Sequence, residues 1–350
     1  SSESVDNGVL WVKIADVGIQ QMKQDNISFL PNYFKEKYSK FLLKKDDYVI
    51  ALTRPILKGK LKIAQIDDFF DNSLLNQRVG KIESKNNKSF IYCYLQKEEL
   101  IKSIENNIAG SDPPNLSPSE INTIRLSIPT LPEQTKIANF LTTVDEKTQA
   151  LQKKKEALEQ YKKGILQKLF SQELRFKASD GNDFPNWEEK KLGEVTFKVD
   201  KKNKELEQLP VYSISNKYGF IPQSEQFEGM DSNERGYDIS LYKIIENYTF
   251  VYNPARINVG SIGYSANIGR TIVSSLYVCF QTIEFINDNF FNFFLDTFHF
   301  KNSVLAKGEG GVRIYLFYEN FSEITINLPS LPEQTKIADF LSAIDDKIAQ

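Results

Sequence analysis

The chain has 350 residues, a formal net charge of −2 and a pI near 5.8, so its surface as a whole is not the basic surface of a protein dedicated to nucleic acid. Hydrophobic residues make up 41% of the chain, which excludes bulk disorder, and the length predicts two domains with a connection between them. Two distant cysteines and no long apolar run argue against a disulfide framework, a zinc site and a membrane span, so we expect a cytoplasmic protein.

The first 130 residues are predicted to form mainly strands. A polar helix is expected over 97–106, and Ser117-Pro-Ser-Glu120 has the residues of a capped helix start. Apolar patterns predict strands over residues 9–16, 47–52, 78–82, 90–95 and 124–128.

An exact internal repeat sets the organisation of the chain. The octapeptide Leu-Pro-Glu-Gln-Thr-Lys-Ile-Ala occurs at residues 131–138 and again at 331–338. The repeat reaches upstream, since the strand predicted from residue 9 has a counterpart at 210–216 and Tyr48 is matched by Tyr248. Two copies of one sequence unit imply two similar structures.

A long helix is expected to follow the first octapeptide, over 133–170, because Pro132 suits a first helical turn. Apolar residues recur along it at spacings of three and four, which predicts a seam that packs against another helix. We expect this partner to be the helix at 337–348 of the same chain, not a second chain. The residues predicted to pair are Ile137, Leu141, Val144, Leu151, Leu158, Ile165, Ile337, Leu341, Ile344 and Ile348.

Together these features resemble the specificity subunit of a type I restriction-modification system, over nearly the whole chain. The two octapeptide helices carry the resemblance, with further support from the segments Lys162–Phe170, Trp187–Val195, Tyr252–Gly263, Leu75–Val79 and Gly310–Tyr315.

The resemblance implies an α/β fold of the α+β type, with two target-recognition domains containing mixed sheets, separated by long helices that form an antiparallel coiled coil. Family members begin both copies with a segment like Trp187–Val195 and have a longer second helix, so we expect both ends of the chain to be shortened. The expected parts are domain 1 at 1–130, a helical spacer at 131–172, a linker at 173–186, domain 2 at 187–330 and a truncated second spacer helix at 331–350.

The resemblance also implies function. Each domain would read one half of a bipartite site in double-stranded DNA, and the helices would set the spacer between the halves. Two methylation subunits would bind the chain, and restriction subunits would join through them. The chain itself would be non-catalytic and without a cofactor, with S-adenosylmethionine, ATP and Mg expected on the partner subunits, and without a membrane partner.

The loops of the two copies carry different polar residues on a common framework, which is what two readers of different half-sites require. Arginine, lysine, asparagine and glutamine match the donors and acceptors of base edges. A solvated surface residue is an equally good explanation for any one of them, and the set is more persuasive than its members. The predicted DNA contacts are Arg54, Lys58, Lys60, Lys62, Asn76, Gln77, Arg78, Asn253, Arg256, Asn258, Arg270 and Arg313.

Two other functions stay open, a self-contained DNA methyltransferase and a coiled-coil interaction protein. Catalysis has little support, because His299 is the only histidine and is expected to be packed or interfacial. Asn253-Pro254 lacks the following Pro-aromatic pair of an amino-methyltransferase motif, and no phosphate-binding loop is present. Gly308-Glu-Gly-Gly311 fits either a tight turn or backbone amides that contact DNA.

Overall fold

The computed structural model describes residues 4–108, 113–123, 125–226, 229–310 and 314–350. The chain divides into two compact units, unit 1 (Ser1–Gln152) and unit 2 (Lys153–Gln350). The boundary falls inside a helix of 40 residues, Leu131–Phe170, which contributes to both units. The finer five-part division expected from the sequence stays a prediction.

Small sheets of short strands form the centre of unit 1. In one sheet the fully buried strand β3 pairs antiparallel with β6 and β8. In another, β1 pairs antiparallel with β2 and parallel with β7. The strands are β1 (Val9–Val12), β2 (Phe29–Leu30), β3 (Tyr48–Ala51), β4 (Ile56–Leu57), β5 (Lys60–Leu61), β6 (Ile63–Gln65), β7 (Leu74–Leu75) and β8 (Val79–Lys81).

The helices of unit 1 include one that the sequence pattern predicted wrongly. Residues 90–95 were expected to be a strand and lie mostly in a helix, because Phe90, Ile91 and Leu95 recur at helical spacing and are buried together. The side chain of Asn87 caps this helix by accepting a hydrogen bond from the Phe90 backbone N–H at 3.0 Å. The helices are α1 (Tyr33–Lys37), α2 (Lys88–Tyr94), α3 (Glu98–Ile108), α4 (Pro118–Thr123) and α5 (Leu131–Phe170).

Unit 2 has larger sheets. The order of strands is β10-β17-β14-β15 in one and β12-β11-β16-β13 in the other, and β9 pairs with β18. The strands are β9 (Glu188–Lys191), β10 (Thr196–Val199), β11 (Val211–Ser215), β12 (Gly219–Pro222), β13 (Lys243–Ile245), β14 (Phe250–Tyr252), β15 (Ile262–Tyr264), β16 (Thr271–Val273), β17 (Val278–Thr282) and β18 (Thr325–Leu328). The helices are α6 (Leu192–Val195), α7 (Gln223–Gln226), α8 (Asp288–Phe294), α9 (Phe298–Lys307), α10 (Tyr318–Ser322) and α11 (Leu331–Ala349).

The predicted duplication is present in the topology of the two units. In both, a central strand lies between two antiparallel neighbours, β3 between β6 and β8, and β14 between β15 and β17. The parallel pair β1–β7 has its equivalent in β11–β16. Helices α2, α3, α4 and α5 begin exactly 200 residues before α8, α9, α10 and α11.

The two copies differ in two details. Tyr48 lies in the buried strand β3, whereas Tyr248 is 60% exposed at a backbone φ of 63° before β14, although the offset of 200 is kept, since Ile50 pairs with Gly80 as Phe250 pairs with Phe280. The predicted strand over 124–128 is not formed at residues 125–128, where no described strand of unit 1 offers a partner. Its counterpart β18 does form, because β9 pairs with it. Residue 124 lies outside the described residues.

A buried glutamine in each octapeptide fastens the long helix to the unit that precedes it. The amide oxygen of Gln134 accepts from the Asn87 backbone N–H at 3.0 Å, and its amide nitrogen donates to the Pro129 carbonyl at 2.8 Å. Gln334 makes the same two bonds, at 2.8 Å to the Asn287 N–H and 2.9 Å to the Pro329 carbonyl. The octapeptide is therefore a structural junction between the start of one helix and the cap of another.

The glutamates of the two octapeptides have different environments. Glu333 is fully buried and accepts hydrogen bonds from Arg175 at 2.9 and 3.1 Å and from the Trp187 indole at 3.0 Å. The bond to Glu333 is the main cause that raises the pKa of Arg175. Glu133 is exposed, and among the described residues it has no ion-pair partner.

The end of α5 packs antiparallel against α11 in unit 2. Leu166 and Leu169 of α5 are buried in one core with Ile337 and Leu341 of α11. Lys162 lies 2.6 Å from Asp345, which fixes the register of the two helices. Of the other predicted pairing residues, Ile344 is buried in the same core, Ile165 and Ile348 pack against it, and Leu158 is half-buried.

The predicted seam is more exposed near the middle of α5. In unit 1, Ile137 packs against a core and Leu141 is half-buried, whereas Val144 is 45% and Leu151 55% exposed. Pairing of Val144 and Leu151 stays a prediction.

Replacing the buried glutamine should destabilise both units alike. Gln134→Ala and Gln334→Ala each leave a buried backbone N–H and a carbonyl without their partner, and we expect a loss of about 1–3 kcal/mol in the free energy of unfolding. Tryptophan fluorescence in denaturant separates the units, since Trp11 lies in unit 1 and Trp187 in unit 2. A loss confined to one unit in both variants would contradict this equivalence.

Replacing the arginine that faces Glu333 should affect unit 2 alone. Arg175→Ala leaves a buried carboxylate with one indole donor, and we expect unit 2 to lose about 3 kcal/mol. Glu133→Ala is the matched control from the other octapeptide, for which the expected change is within about 0.5 kcal/mol. The measurement is denaturant unfolding, followed by Trp187 in a Trp11→Phe background for Arg175→Ala and by Trp11 in a Trp187→Phe background for Glu133→Ala. Equal effects of the two variants would contradict the assignment.

Candidate nucleic-acid interface

The hairpin β4–β5 of unit 1 presents three of the predicted DNA contacts. Lys58 and Gly59 connect the strands with backbone φ values of 51° and 71°, as in a two-residue type I′ turn. Lys58 and Lys60 are exposed at this turn, and Arg54 is exposed just before it. The turn therefore holds cationic side chains in solvent at the end of a short, rigid hairpin.

Lys62 differs from the other predicted contacts of unit 1. Its ammonium donates to the Ile14 carbonyl at 2.6 Å, and burial lowers the pKa of Lys62. Asp16, which is buried nearby, has its pKa raised by burial. The structure thus gives Lys62 an internal partner, and its role as a DNA contact stays a prediction.

The loop at residues 76–78 is held by its own first side chain. The Asn76 side-chain oxygen accepts from the Arg78 backbone N–H at 2.9 Å, and this turn leaves the side chains of Gln77 and Arg78 exposed. The loop follows β7 and precedes β8, so two strands anchor it. Its amide and guanidinium groups are of the kind that matches base edges.

An aromatic groove lies beside this loop. It has a volume of about 620 Å³, and Asn76 and Gln77 line one part of it. The remaining described lining is apolar and comprises Trp11, Leu30, Phe34, Tyr38, Phe41, Leu74, Leu75 and Val79. Sequence reasoning missed the segment 33–41 that supplies three of these rings, although lysines interleaved with aromatic residues were a usable signal.

In unit 2 the predicted contacts cluster in the loop after β14. The Asn253 side-chain oxygen accepts from the Ala255 N–H at 3.1 Å, and a 3₁₀ turn at Ile257–Val259 follows. Gly260 ends that turn at a φ of 88°, in the left-handed region that favours glycine. Arg256 and Asn258 are exposed on this loop.

A second hairpin shares a groove with this loop. Asn216, Lys217 and Tyr218 form the tip between β11 and β12, and they line a groove of about 860 Å³ together with Asn258. Tyr218 is 66% exposed, and the Lys217 ammonium lies 4.8 Å from its ring centroid. Lys217 and Tyr218 were missed by sequence reasoning, although a Lys-Tyr-Gly hairpin tip was visible in the sequence.

Glycine allows the hairpin to lie close to β15. A β-carbon at Gly263 would come within 2.9 Å of the Phe220 ring, so a larger residue there would push the hairpin away. The Ser261 hydroxyl also donates to the Ile214 carbonyl at 3.0 Å. The tip is therefore fixed relative to the Asn258 loop, and the two can act on one ligand.

The remaining two predicted contacts are not part of these clusters. Arg270 pairs with Glu207 at 2.6 Å and Glu246 at 3.1 Å, and the bond to Glu207 is the main cause that raises its pKa. Its charge is already balanced within unit 2. Arg313 lies outside the described residues, as does Gly311, while Glu309, between Gly308 and Gly310, forms an antiparallel bridge with Tyr315.

Two features bear on chemistry other than binding, namely the histidine and the grouping of side chains that could hold a metal ion. His299 is exposed on α9, its Nε2 lies 2.8 Å from the Thr325 carbonyl oxygen and its ring centroid lies 6.1 Å from that of Phe294, so its place as a packed or interfacial residue stays a prediction. Within the described ranges, histidine, cysteine and carboxylate side chains do not gather in groups of three or more that could hold a metal ion. None of the described helices combines the length and hydropathy of a bilayer-spanning segment.

Solved structures of the same fold are known. The chain matches an S subunit of a type I restriction-modification system from M. genitalium with a TM-score of 0.59 and 17% identity, over 100% of this chain and 85% of that one. A structure described as showing complex assembly and conformational transition of the type I R-M system matches with a TM-score of 0.52 and 16% identity, over 97% of this chain and 84% of that one.

Curated relatives come from Methanocaldococcus jannaschii. The specificity subunit of the type I restriction enzyme MjaVIII is 34% identical over 179 residues, which is 50% of this chain and 42% of the relative. The putative specificity subunit of the MjaX enzyme is 28% identical over 290 residues, 79% of this chain and 64% of the relative. The chain thus covers less than two thirds of either relative's length.

The model of a protein family, the type I restriction modification DNA specificity domain, matches residues 21–160 and 185–350. These two segments cover most of the chain and correspond to the two copies of the internal repeat. The chain therefore belongs to the family of type I restriction-modification DNA specificity domains.

Proposed function

We propose that this chain is the DNA-recognition subunit of a type I restriction-modification complex, and that each unit reads one half of a bipartite site in double-stranded DNA. The observation that carries the proposal is a duplicated topology with different exposed loops. The β4–β5 hairpin and the 76–78 loop supply lysine, arginine, glutamine and asparagine in unit 1. Unit 2 supplies Arg256 and Asn258 beside the tip at Lys217.

The long helix is proposed to set the length of DNA between the two half-sites. An uninterrupted helix of 40 residues rises about 60 Å at roughly 1.5 Å per residue. Its ends are fastened, by Gln134 at the start and by burial of Leu166 and Leu169 at the finish. A helix is stiffer than a flexible connection of the same number of residues.

The partners follow from the same proposal. Two methylation subunits bind the chain, and restriction subunits join through that complex, in the cytoplasm. The chain contributes recognition and no catalytic group, and S-adenosylmethionine, ATP and Mg belong to the partner subunits. The curated relatives are specificity subunits of type I restriction enzymes, which supports a recognition role for this chain.

Changing the exposed loop of unit 2 should alter one half of the methylated site. In Asn258→Ala the donor and acceptor of one amide are removed, and we expect discrimination at one base pair to fall by about 1–3 kcal/mol while the other half-site is unchanged. Arg256→Ala should act on the same half. The measurement is methylome sequencing of a host that expresses the complete system.

The matched control is Asn289→Ala, which removes an exposed asparagine of α8 that does not line the groove. Relaxation of both half-sites by Asn258→Ala, or the same effect from Asn289→Ala, would refute the assignment of unit 2 to one half. Tight S-adenosylmethionine binding by the isolated chain would instead support a self-contained methyltransferase.

A further inference from the structure

Unit 1 contains a cationic and aromatic segment that none of the predicted contacts includes. Residues 33–45 carry five lysines and one glutamate in a chain whose formal net charge is −2. The segment forms α1 and the 3₁₀ turn Ser39–Phe41, and its rings line the groove beside the 76–78 loop. Local charge of this kind, on one surface, is typical of contact with nucleic acid.

The lysines of the segment fall into two groups. Lys44 donates to the Asn72 side-chain oxygen at 2.5 Å, and Lys45 pairs with Asp68 at 2.7 Å. Lys35, Lys37 and Lys40 are exposed, and within the described ranges no carboxylate lies in ion-pair distance of them. These three ammonium groups are available to an anionic ligand.

Two of the available lysines lie against aromatic rings that line the groove. The Lys37 ammonium lies 5.3 Å from the Tyr38 ring centroid, and the Lys40 ammonium lies 5.0 Å from that of Phe41. Contact with a ring face restrains a flexible lysine side chain. The ammonium charge stays uncompensated, because the ring is neutral. Tyr38 and Phe41 both line the groove, so each of the two cations lies against a ring that belongs to its lining.

The groove itself favours DNA over a protein partner of ordinary charge. None of its described lining residues is acidic, its floor is apolar, and the amides of Asn76 and Gln77 lie at one side. Phe41 is 45% exposed, which leaves a ring face for deoxyribose carbons. Phosphate at the cationic edge, sugar on the floor and base edges at the amides would satisfy all three kinds of surface.

We propose that the groove between segment 33–41 and loop 76–78 binds one strand of the DNA at the half-site that unit 1 reads, with Lys37 and Lys40 as phosphate contacts and Phe41 against the sugar. The inference rests on the proposed DNA-recognition function and deepens it. Unit 2 contacts its own half-site differently, because its groove is lined by Asp296 as well as Lys301.

The test is the salt dependence of binding by the full chain assembled with its methylation subunits, on a duplex carrying the mapped site and on a scrambled duplex. The slope of log K against log salt is negative, and each lost phosphate contact reduces its magnitude by about 0.9, so Lys37→Ala/Lys40→Ala should reduce the magnitude by about that amount per lysine. The effect should appear on both duplexes, because phosphate contacts carry no sequence information.

Lys97→Ala is the matched control. Lys97 belongs to the same unit, is exposed, and its ammonium lies 5.1 Å from the Tyr94 ring centroid, but Tyr94, unlike Tyr38 and Phe41, does not line the groove. The slope should stay at the wild-type value in this variant and in Lys37→Arg/Lys40→Arg, which keeps both charges. Phe41→Ala should lower the affinity and leave the slope unchanged.

An unchanged slope in Lys37→Ala/Lys40→Ala with thermal unfolding like the wild type would overturn the inference. An equal reduction of the slope's magnitude in Lys97→Ala would also overturn the inference. Loss of assembly with the methylation subunits, in place of the slope change, would overturn it too, because the groove would then be a protein interface. A different result would contradict the proposed DNA-recognition function itself. In that case the wild-type complex would bind the mapped and scrambled duplexes with equal affinity.

Discussion

Each unit depends on a single buried amide. The side chain of Gln134 or Gln334 joins the cap residue of one helix, Asn87 or Asn287, to the proline carbonyl just before the long helix begins. A buried amide is costly unless its donors and acceptor are satisfied, so these bonds leave little freedom in the angle at which the helix departs. The direction of the helix is thereby set by the unit that precedes it.

The junction belongs to the part of each unit that repeats in both copies, whereas the exposed turns differ between the copies. The sheets, helices α2 and α8, and the octapeptides repeat with the same topology. The connections that follow the equivalent strands β3 and β14 differ, since unit 1 has a hairpin with Lys58 at its turn and unit 2 has a 3₁₀ turn with Asn258. Since turn residues on the surface contribute little to the cores, they can change without loss of the fold, and recognition can diverge between the two units.

The two octapeptides are identical in sequence, but their glutamates have different environments. Gln134 and Gln334 make the same bonds, whereas Glu333 is buried with Arg175 and Trp187 and Glu133 is exposed. A carboxylate is buried only where donors compensate its desolvation, and those donors come from a segment outside the octapeptide. Local sequence alone therefore did not decide the environment of this side chain.

The sequence by itself determined the duplication, the long helix from residue 131 to 170, the strands at Tyr48–Ala51 and Val211–Ser215, and the family. Those features are encoded locally or by exact repetition, and the pattern of apolar residues is sufficient to read them. The same reasoning chose a strand for residues 90–95, because a short apolar run is compatible with either structure until a cap such as Asn87 is seen in place.

Only the tertiary structure decided which polar residues are available to a ligand. Lys62 and Arg270 look like their neighbours in the sequence, yet one donates to the Ile14 carbonyl and the other lies between two glutamates. Conversely, the segment 33–41 became part of a candidate interface because β1 and β7 bring Trp11 and the 76–78 loop beside it. Availability depends on partners distant in the chain, and their positions are fixed by sheet pairing and core packing, which no local pattern records.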